Sequence, residues 1–326
     1  MDDDDNGTAV IEFILLGFSG LGTYQVPLFW GVLFVYLVTL LGNSLIITLL
    51  DSALSTPMYF FLRHLSLIEI LYTTTIVPRM LNDLLSSHPV IYLSASCFTQ
   101  MYFFALFGIA ECCLLTAMAY DHFAAICRPL HYATLMNRQV CVGMVGASYL
   151  LGITSGTTDA IFIFTLHFHG SNIVYSFFCD DLPVLRLASG DTFQGEVGNF
   201  VVTLLFIITP FVLIVFSYVR ILITILGLAS AQGRQKFFST CSSHLLVVTL
   251  FYGTATIAYI KPGANIIQNM DQILSLFYTV VTPMFNPFIY TLRNKEVMGA
   301  LKRTVNKTSL KSLTGPVVCL ASLLIS

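Results

Sequence analysis

Residues 26–50 read VPLFWGVLFVYLVTLLGNSLIITLL, and no side chain in this stretch is charged. An apolar run of about 20 residues is long enough to cross the hydrocarbon core of a bilayer as a helix. Because lipid offers no hydrogen-bonding partner to open backbone groups, such a segment must satisfy them internally. The stretch therefore predicts a transmembrane helix near the start of the chain.

The rest of the chain has the same apolar character. Of its 326 residues, 56% are hydrophobic and only 10% are charged, and the mean hydropathy is +0.83. A soluble domain carries about 25% charged residues, so lipid must surround most of this protein. The further apolar stretches run approximately over 58–82, 96–119, 140–164, 197–225, 238–260 and 271–291. The sequence predicts an all-α membrane protein, with one seven-helix bundle over residues 26–291.

Lys and Arg residues lie mostly on one side of the predicted bundle. The exceptions are Arg79, Arg186 and Lys261, which share the other side with the acidic start of the chain. Since cytoplasmic loops carry the excess of Lys and Arg, residues 1–25 are predicted to be extracellular. The net charge of −2 hides this asymmetry and gives no indication of nucleic acid binding.

The two ends of the chain carry one signal each. Asn6-Gly7-Thr8 is a glycosylation sequon, so Asn6 is predicted to carry a glycan on the outer side. Residues 292–326 are predicted to be cytoplasmic. Their first part alternates basic and apolar residues over 293–305, a pattern typical of a short amphipathic eighth helix on the inner leaflet.

Two carboxylates lie in the middle of predicted helices, where each charge costs about 3 kcal/mol. They are Glu69 in the second helix and Glu111 in the third. Two facing carboxylates at that depth cannot both stay ionised without a cation or a shared proton. Asn43 and Asn286 could supply further oxygens. Two interpretations stay open: a protonated, hydrogen-bonded structural pair, or a cation site, with sodium the favoured ion.

One face of the third helix indicates a ligand pocket. Counting back from Glu111 places Gly108, Phe104 and Met101 on its inward side. The upper part of this face has no acid, so we expect no ammonium ligand. An apolar lining with a few hydroxyls suits a small, neutral, hydrophobic molecule. The predicted lining is Met101, Phe104, Ala105, Gly108, Val202, Thr203, Phe206, Ala255, Thr256, Tyr259 and Thr279.

The cysteines and the hydroxyl residues bear on the class of protein. Cys97 and Cys179 both lie on the predicted outer side, where a disulfide persists.

Ser242, Ser243 and His244 are close in sequence but lack a buried acid and an oxyanion site, so no enzyme is predicted. The sequence has no internal repeat and no continuous polar face, which disfavours a transporter or channel.

Four longer strings identify a family resemblance. They are PMYFFLRHLS (57–66), MAYDHFAAICRPLHY (118–132), KFFSTCSSHL (236–245) and PMFNPFIYTLRN (283–294). Over about residues 10–305 the chain resembles the vertebrate odorant receptors, rhodopsin-like G-protein-coupled receptors of the tetrapod-type class.

The resemblance implies a function and a set of roles. It implies odorant detection at the plasma membrane of olfactory cilia, coupling to the heterotrimeric stimulatory (olfactory) G protein, and cyclic AMP as messenger. Tyr252 would form the pocket floor and switch between states. Tyr218 and Tyr290 would swing inward on activation, while Arg234 and Lys236 would help to receive the G protein.

The chain departs from the family pattern in two places. The family has Asp-Arg-Tyr where this chain has Asp121-His122-Phe123. Because a His lacks the permanent charge and five-donor fork of Arg, we predict weak signalling. A receptor-like protein with impaired coupling is therefore the alternative. The family also has loop cysteines where His169 and Ser189 stand, so Cys97–Cys179 is predicted to be the loop's only crosslink.

Overall fold

Seven long helices form the bundle. The computed structural model describes residues 12–51, 56–86, 90–166, 168, 172–185, 187–188, 193–227, 231–259, 268–293 and 299. The helices are α1 (Gln25–Asp51), α2 (Pro57–Leu85), α3 (Ser94–Cys127), α4 (Arg138–Phe164), α5 (Phe193–Leu226), α6 (Ala231–Tyr259) and α7 (Gln268–Arg293). Each one overlaps a predicted apolar segment, which confirms the seven-helix prediction.

Helices α5 and α7 each contain a π-helical turn. In α5 it covers Leu204–Ile208, and in α7 it covers Phe277–Val281. Short helices lie outside the seven: 3₁₀ turns at Ser19–Tyr24 and Pro129–His131, and single α-turns at Tyr132–Leu135 and Asp181–Leu185. π-Turns of this kind bulge a helix and often mark functional positions.

Among the residues that the structure describes, six of the seven helices are long and apolar enough to cross a membrane, by length and composition alone. The exception is α6, whose first part is polar. It carries Arg234 and Lys236 near its start and four hydroxyl residues shortly after, Ser239, Thr240, Ser242 and Ser243. The predicted segment over 238–260 leaves out Arg234 and Lys236 but includes the four hydroxyl residues, so α6 resembles the others only over its second part.

Helix α3 continues well past the predicted end of its apolar segment at residue 119, to Cys127. Pro129 is the first residue that cannot continue the helix, and it also disfavours helix at the residue before it. Asp121 and His122 therefore lie on the last turns of α3, with their side chains fixed to a helix rather than to a loop.

A small sheet covers the outer end of the bundle, and the all-α prediction missed it. Strands β1 (Glu12–Leu15), β2 (Val90–Leu93) and β3 (Ile173–Val174) pair in the order β2-β1-β3. β1 is antiparallel to β2 and parallel to β3. Phe13 of β1 is fully buried, 5.3 Å from Phe168 and 6.3 Å from Phe98 between ring centroids.

Helix α3 packs closely on α4 because two glycines let the backbones approach. A Cβ on Gly152 would lie 2.3 Å from Leu106 O, and one on Gly156 would lie 2.8 Å from Tyr102 O. No side chain fits at either position. This contact faces one side of α3, which leaves its opposite side to line the bundle interior.

Several predictions fall outside the described residues. They are the glycan at Asn6, the amphipathic eighth helix apart from Arg293 and Gly299, and the loop positions His169 and Ser189.

Candidate functional site

The buried Asp121 carboxylate is held by a tyrosine from the adjacent cytoplasmic segment. Tyr132 donates from its hydroxyl to Asp121 Oδ1 at 2.8 Å. Burial and the neighbouring Asp121 raise the pKa of Tyr132 above its ordinary value, so the phenol stays protonated and keeps donating. The interaction ties the end of α3 to the short helix that follows it.

His122 is buried without a hydrogen bond at one nitrogen. Its side chain is only 4% exposed, and Nε2 has no partner within the described part of the chain. Its ring centroid lies 5.6 Å from that of His244 on α6, in an edge-on arrangement. His122, at the position where the family resemblance predicts an arginine, therefore points into the packed helix ends.

His244 joins three helices at the cytoplasmic side. Its Nε2 lies 3.0 Å from the backbone oxygen of Leu115 on α3, and its Nδ1 lies 2.8 Å from the hydroxyl of Tyr218 on α5. Because a carbonyl oxygen only accepts, Nε2 carries the proton and Nδ1 accepts from Tyr218. The fully buried ring thus ties α6 to α3 and α5.

The other predicted switch residues make no side-chain hydrogen bond that the structure describes. Tyr290 is 1% exposed, and its hydroxyl has no hydrogen-bond partner among the described residues. Arg234 and Lys236 lie on the first turns of α6, but their side chains are outside the described set. The structure therefore brings His122 and Tyr218 together around His244, with Asp121 one residue before His122 on α3.

The predicted carboxylates meet in the middle of the bundle. Glu69 and Glu111 have adjacent carboxyl groups, and the Asn286 amide donates to Glu69 Oε1. All three side chains are at most 2% exposed. Glu69 Oε2 and Asn286 Oδ1 are buried acceptors that no described group satisfies. Asn43 is also buried, and its amide donates to Thr39 O at 3.0 Å.

These oxygens are chemically suited to a hard cation such as sodium, which prefers carboxylate and amide oxygens. No group of three or more His, Cys, Asp or Glu side chains that could hold a metal ion occurs among the described residues. A cation here would rely on two carboxylates and amide oxygens. A proton shared by the two carboxylates satisfies the same geometry.

Phe104 marks the outer end of the predicted pocket. Its ring lies 5.4 Å from that of Tyr72 on α2 and 5.2 Å from that of Phe178 in the outer loop. At the inner end, Tyr252 of α6 neighbours Cys112 of α3 and lies 5.0 Å from Phe211. Sequence reasoning did not single out Phe178, which covers Phe104 from above.

The remaining predicted pocket residues differ in their surroundings. Met101 is buried in the outer hydrophobic cluster with Phe13 and Cys179. Thr279 is fully buried and donates to Ser275 O, while Thr256 is exposed. The half-buried members are Ala105, Gly108, Val202, Thr203, Phe206 and Ala255. Tyr259 ends α6, and its side chain is outside the described set.

The Cys97–Cys179 disulfide is present as predicted, and Gln100 supports it. The Gln100 side chain accepts from Cys179 N at 2.9 Å and donates to Thr75 O at 3.0 Å. It therefore links the outer loop to α2. Sequence reasoning missed Gln100 and also Tyr132, although Tyr132 closes one of the strings that carry the family resemblance.

Comparison with known proteins establishes the family. A model of the olfactory receptor family matches residues 32–308. The chain belongs to the olfactory receptor family. It is 68% identical to mouse olfactory receptor 10P22, over 93% of this chain and 98% of that one. It is 57% identical to human olfactory receptor 10P1, over 93% and 97% of the two chains.

The fold agrees with this membership. The structure superposes on squid rhodopsin with a TM-score of 0.67, over 88% of this chain and 81% of that one, at 16% sequence identity. An olfactory receptor with membrane-spanning helices is a multi-pass protein of the plasma membrane. The disulfide and the small sheet lie together at the end of the bundle that the distribution of Lys and Arg predicts to be extracellular.

Loss of the disulfide is expected to destabilise this olfactory receptor strongly. Removing a native disulfide typically costs about 2–5 kcal/mol, so Cys97→Ser should sharply reduce surface expression. Cys113→Ser, at a half-buried free cysteine of α3, is the matched control and should express normally.

Non-reducing mass spectrometry of the unmodified receptor should find Cys97–Cys179 as the outer loop's single crosslink; a second crosslink there would contradict the prediction.

Proposed function

We propose that this receptor detects small, neutral, hydrophobic odorants at the ciliary membrane and couples to the stimulatory olfactory G protein, raising cyclic AMP. Membership of the olfactory receptor family supports the general role. The observation that carries the ligand class is open space beside Gly108, in an apolar part of the bundle interior. The proposal includes no catalytic activity.

Gly108 leaves room that a ligand can fill. A Cβ built on Gly108 would meet no described atom within 4 Å, whereas one on Gly152 or Gly156 would collide with α3. Phe104 and Cys112 lie one turn before and after Gly108, and they face Phe178 and Tyr252. Gly108 therefore faces the bundle interior, between an aromatic cover and a tyrosine floor.

The route from ligand to G protein runs through α6. A ligand shifts the receptor only by binding its active arrangement more tightly than its resting one. Tyr252 lies on the same helix as His244, which fastens α6 to Leu115 and Tyr218. An outward displacement of α6 would break the His244–Leu115 hydrogen bond and expose the helix ends to the G protein. Lys236 and Arg234 would then help to receive it.

The alternative proposal is a receptor-like protein whose coupling is impaired. It is supported by the burial of His122 against His244, which keeps that side chain away from the cytoplasmic surface.

We also propose that the buried oxygens of Glu69, Glu111 and Asn286, with Asn43 nearby, hold a sodium ion. Sodium would supply the positive charge that lets both carboxylates stay ionised. Its support is the pair of unsatisfied acceptors, Glu69 Oε2 and Asn286 Oδ1.

A broad odorant panel with a cyclic AMP readout tests the odorant proposal. We expect neutral, apolar odorants to give responses and Gly108→Val to remove them, or to raise the half-effective concentration at least about tenfold, because the added methyl groups occupy the ligand's volume. Gly146→Val on α4, where a Cβ also meets nothing within 4 Å, is the matched control. Equal responses from Gly108→Val and the unmodified receptor would contradict the proposed pocket.

A further inference from the structure

The first described residues lie across the outer end of the bundle as a strand that is paired on both edges. Strand β1 (Glu12–Leu15) lies between β2 and β3. On the β3 edge, Ile14 N donates to Asn172 O at 2.8 Å and Leu16 N donates to Val174 O at 3.0 Å. Because β3 belongs to the outer loop, the strand and the loop are joined into one unit.

This unit reaches the proposed odorant pocket through a series of aromatic contacts. The Phe18 ring stacks on Phe177, with 5.2 Å between centroids and an interplanar angle of 18°. Phe177 lies 5.1 Å from Phe178, which in turn covers Phe104 at 5.2 Å. The rings of Phe18, Phe177 and Phe178 are at most 8% exposed. Residues 12–18 with Phe177 and Phe178 therefore form an outer cover over the pocket.

The outer cover is covalently attached on the α3 side. The Cys97–Cys179 disulfide joins the outer loop to α3, and β2 runs directly into the first residue of α3. Gln100 of α3 also accepts from Cys179 N at 2.9 Å. Since a covalent attachment persists when weaker contacts break, this side is the one about which the outer cover can turn.

The other side of the outer cover is held by glutamine amides. Gln272, on the second turn of α7, donates to Gly17 O at 2.7 Å. Gln25, at the start of α1, donates to Phe18 O at 3.2 Å. Gly17 has a φ of +43°, which L side chains rarely adopt, and its turn places the two successive carbonyl oxygens beside the two amides. The Gln272 hydrogen bond links residues 255 positions apart and ties the outer cover to α7.

We propose that the outer cover is a gate through which odorants reach the pocket from the outer side, and that Gln272 is its latch. This inference rests on the proposed odorant pocket beside Gly108. The gate opens on the α7 side when the Gln272–Gly17 hydrogen bond breaks, and it closes again over the bound odorant. A neutral hydrogen bond contributes little net free energy, so opening is accessible while the disulfide stays intact. Gln272 is a positioning residue, because it holds the outer cover and does not line the pocket.

The accessibility of a cysteine placed in the pocket tests the gate without any odorant. Gly108→Cys puts a thiol where a Cβ meets no described atom within 4 Å. A charged thiol reagent, trimethylammonium-ethyl methanethiosulfonate, does not cross lipid, so from the outer side it reaches this thiol only through the outer cover. It is applied to intact cells that express the full-length receptor, and mass spectrometry of the purified receptor follows the labelling. Its rate measures the open fraction of the gate.

We expect slow labelling of Gly108→Cys and labelling about fivefold faster when Gln272→Leu is added, the factor that one neutral hydrogen bond contributes. Phe18→Ala, which keeps Gln272 but removes the ring stack on Phe177, should also accelerate labelling. Gln139→Leu is the matched control, because Gln139 is an exposed glutamine at the start of α4, at the opposite end of the bundle. It should leave the labelling rate unchanged.

A neutral, membrane-permeant reagent, methyl methanethiosulfonate, distinguishes failure of the gate from failure of the pocket. It should label Gly108→Cys equally with and without Gln272→Leu, and the receptor that keeps Gly108 gives the background from Cys112 and Cys113. If the neutral reagent does not label Gly108→Cys, neither the pocket nor the gate exists as proposed. If it labels but the charged reagent reacts equally with and without Gln272→Leu and Phe18→Ala, the gate is overturned and the pocket stands. Labelling by the neutral reagent alone in every variant also overturns the gate and indicates entry through the bilayer.

Discussion

His122→Arg is expected to raise odorant-evoked cyclic AMP about tenfold at equal surface expression. His122 is buried against His244, and its Nε2 makes no hydrogen bond with any described residue. An arginine at this position has a longer stem and five donors, so it can reach beyond the helix ends toward a bound G protein. One charge-assisted hydrogen bond contributes about 1.5–3 kcal/mol, and 1.4 kcal/mol corresponds to a factor of ten.

The measurement is a cyclic AMP dose–response curve with an odorant identified in the panel screen. His131→Arg is the matched control, because His131 is an exposed histidine in the cytoplasmic turn after α3. It adds the same charge nearby and should leave the response unchanged. If His122→Arg gives no gain at matched surface expression, the replaced arginine is not what limits coupling. A strong response from the unmodified receptor would also remove the impaired-coupling alternative.

The features that sequence predicted are those that depend on local pattern. The seven helices follow from runs of apolar residues, and the disulfide partners follow from the side of the membrane on which they lie. The central polar group was found because Glu69 and Glu111 are costly at mid-membrane depth. Their adjacency and the Asn286 hydrogen bond agree with the expectation that these side chains face one another.

The features that sequence missed depend on contacts between distant parts of the chain. The sheet joins residues 12–15, 90–93 and 173–174, in strands too short to show an alternating pattern. His244 contacts Leu115, which lies 129 positions away. Gln100 reaches Thr75 and Cys179 across the outer end of the bundle. Such pairings are set by packing of the finished bundle and leave no local periodicity to detect.

Sodium is expected to stabilise the unmodified receptor against heat and to have no effect on Glu111→Gln. A ligand at 100 times its dissociation constant stabilises the folded state by about 2.7 kcal/mol, which corresponds to a rise in Tm of roughly 4 °C for a chain of 326 residues. Glu111→Gln removes one of the two carboxylates and should remove this rise. The measurement is Tm against sodium chloride concentration, with choline chloride at equal ionic strength as the salt control.

Glu12→Gln is the matched variant, because Glu12 is an exposed carboxylate on β1; it should respond to sodium as the unmodified receptor does. Equal sodium responses from the unmodified receptor and Glu111→Gln would remove the sodium proposal and leave the protonated pair. The absolute Tm of Glu111→Gln then distinguishes a protonated carboxylate pair from a sodium site in a second way. A glutamine amide imitates a protonated carboxyl, so the variant should match the unmodified receptor without sodium if Glu111 is the protonated partner. If a bound ion is what satisfies Glu69 Oε2, only the sodium-loaded, unmodified receptor gains stability.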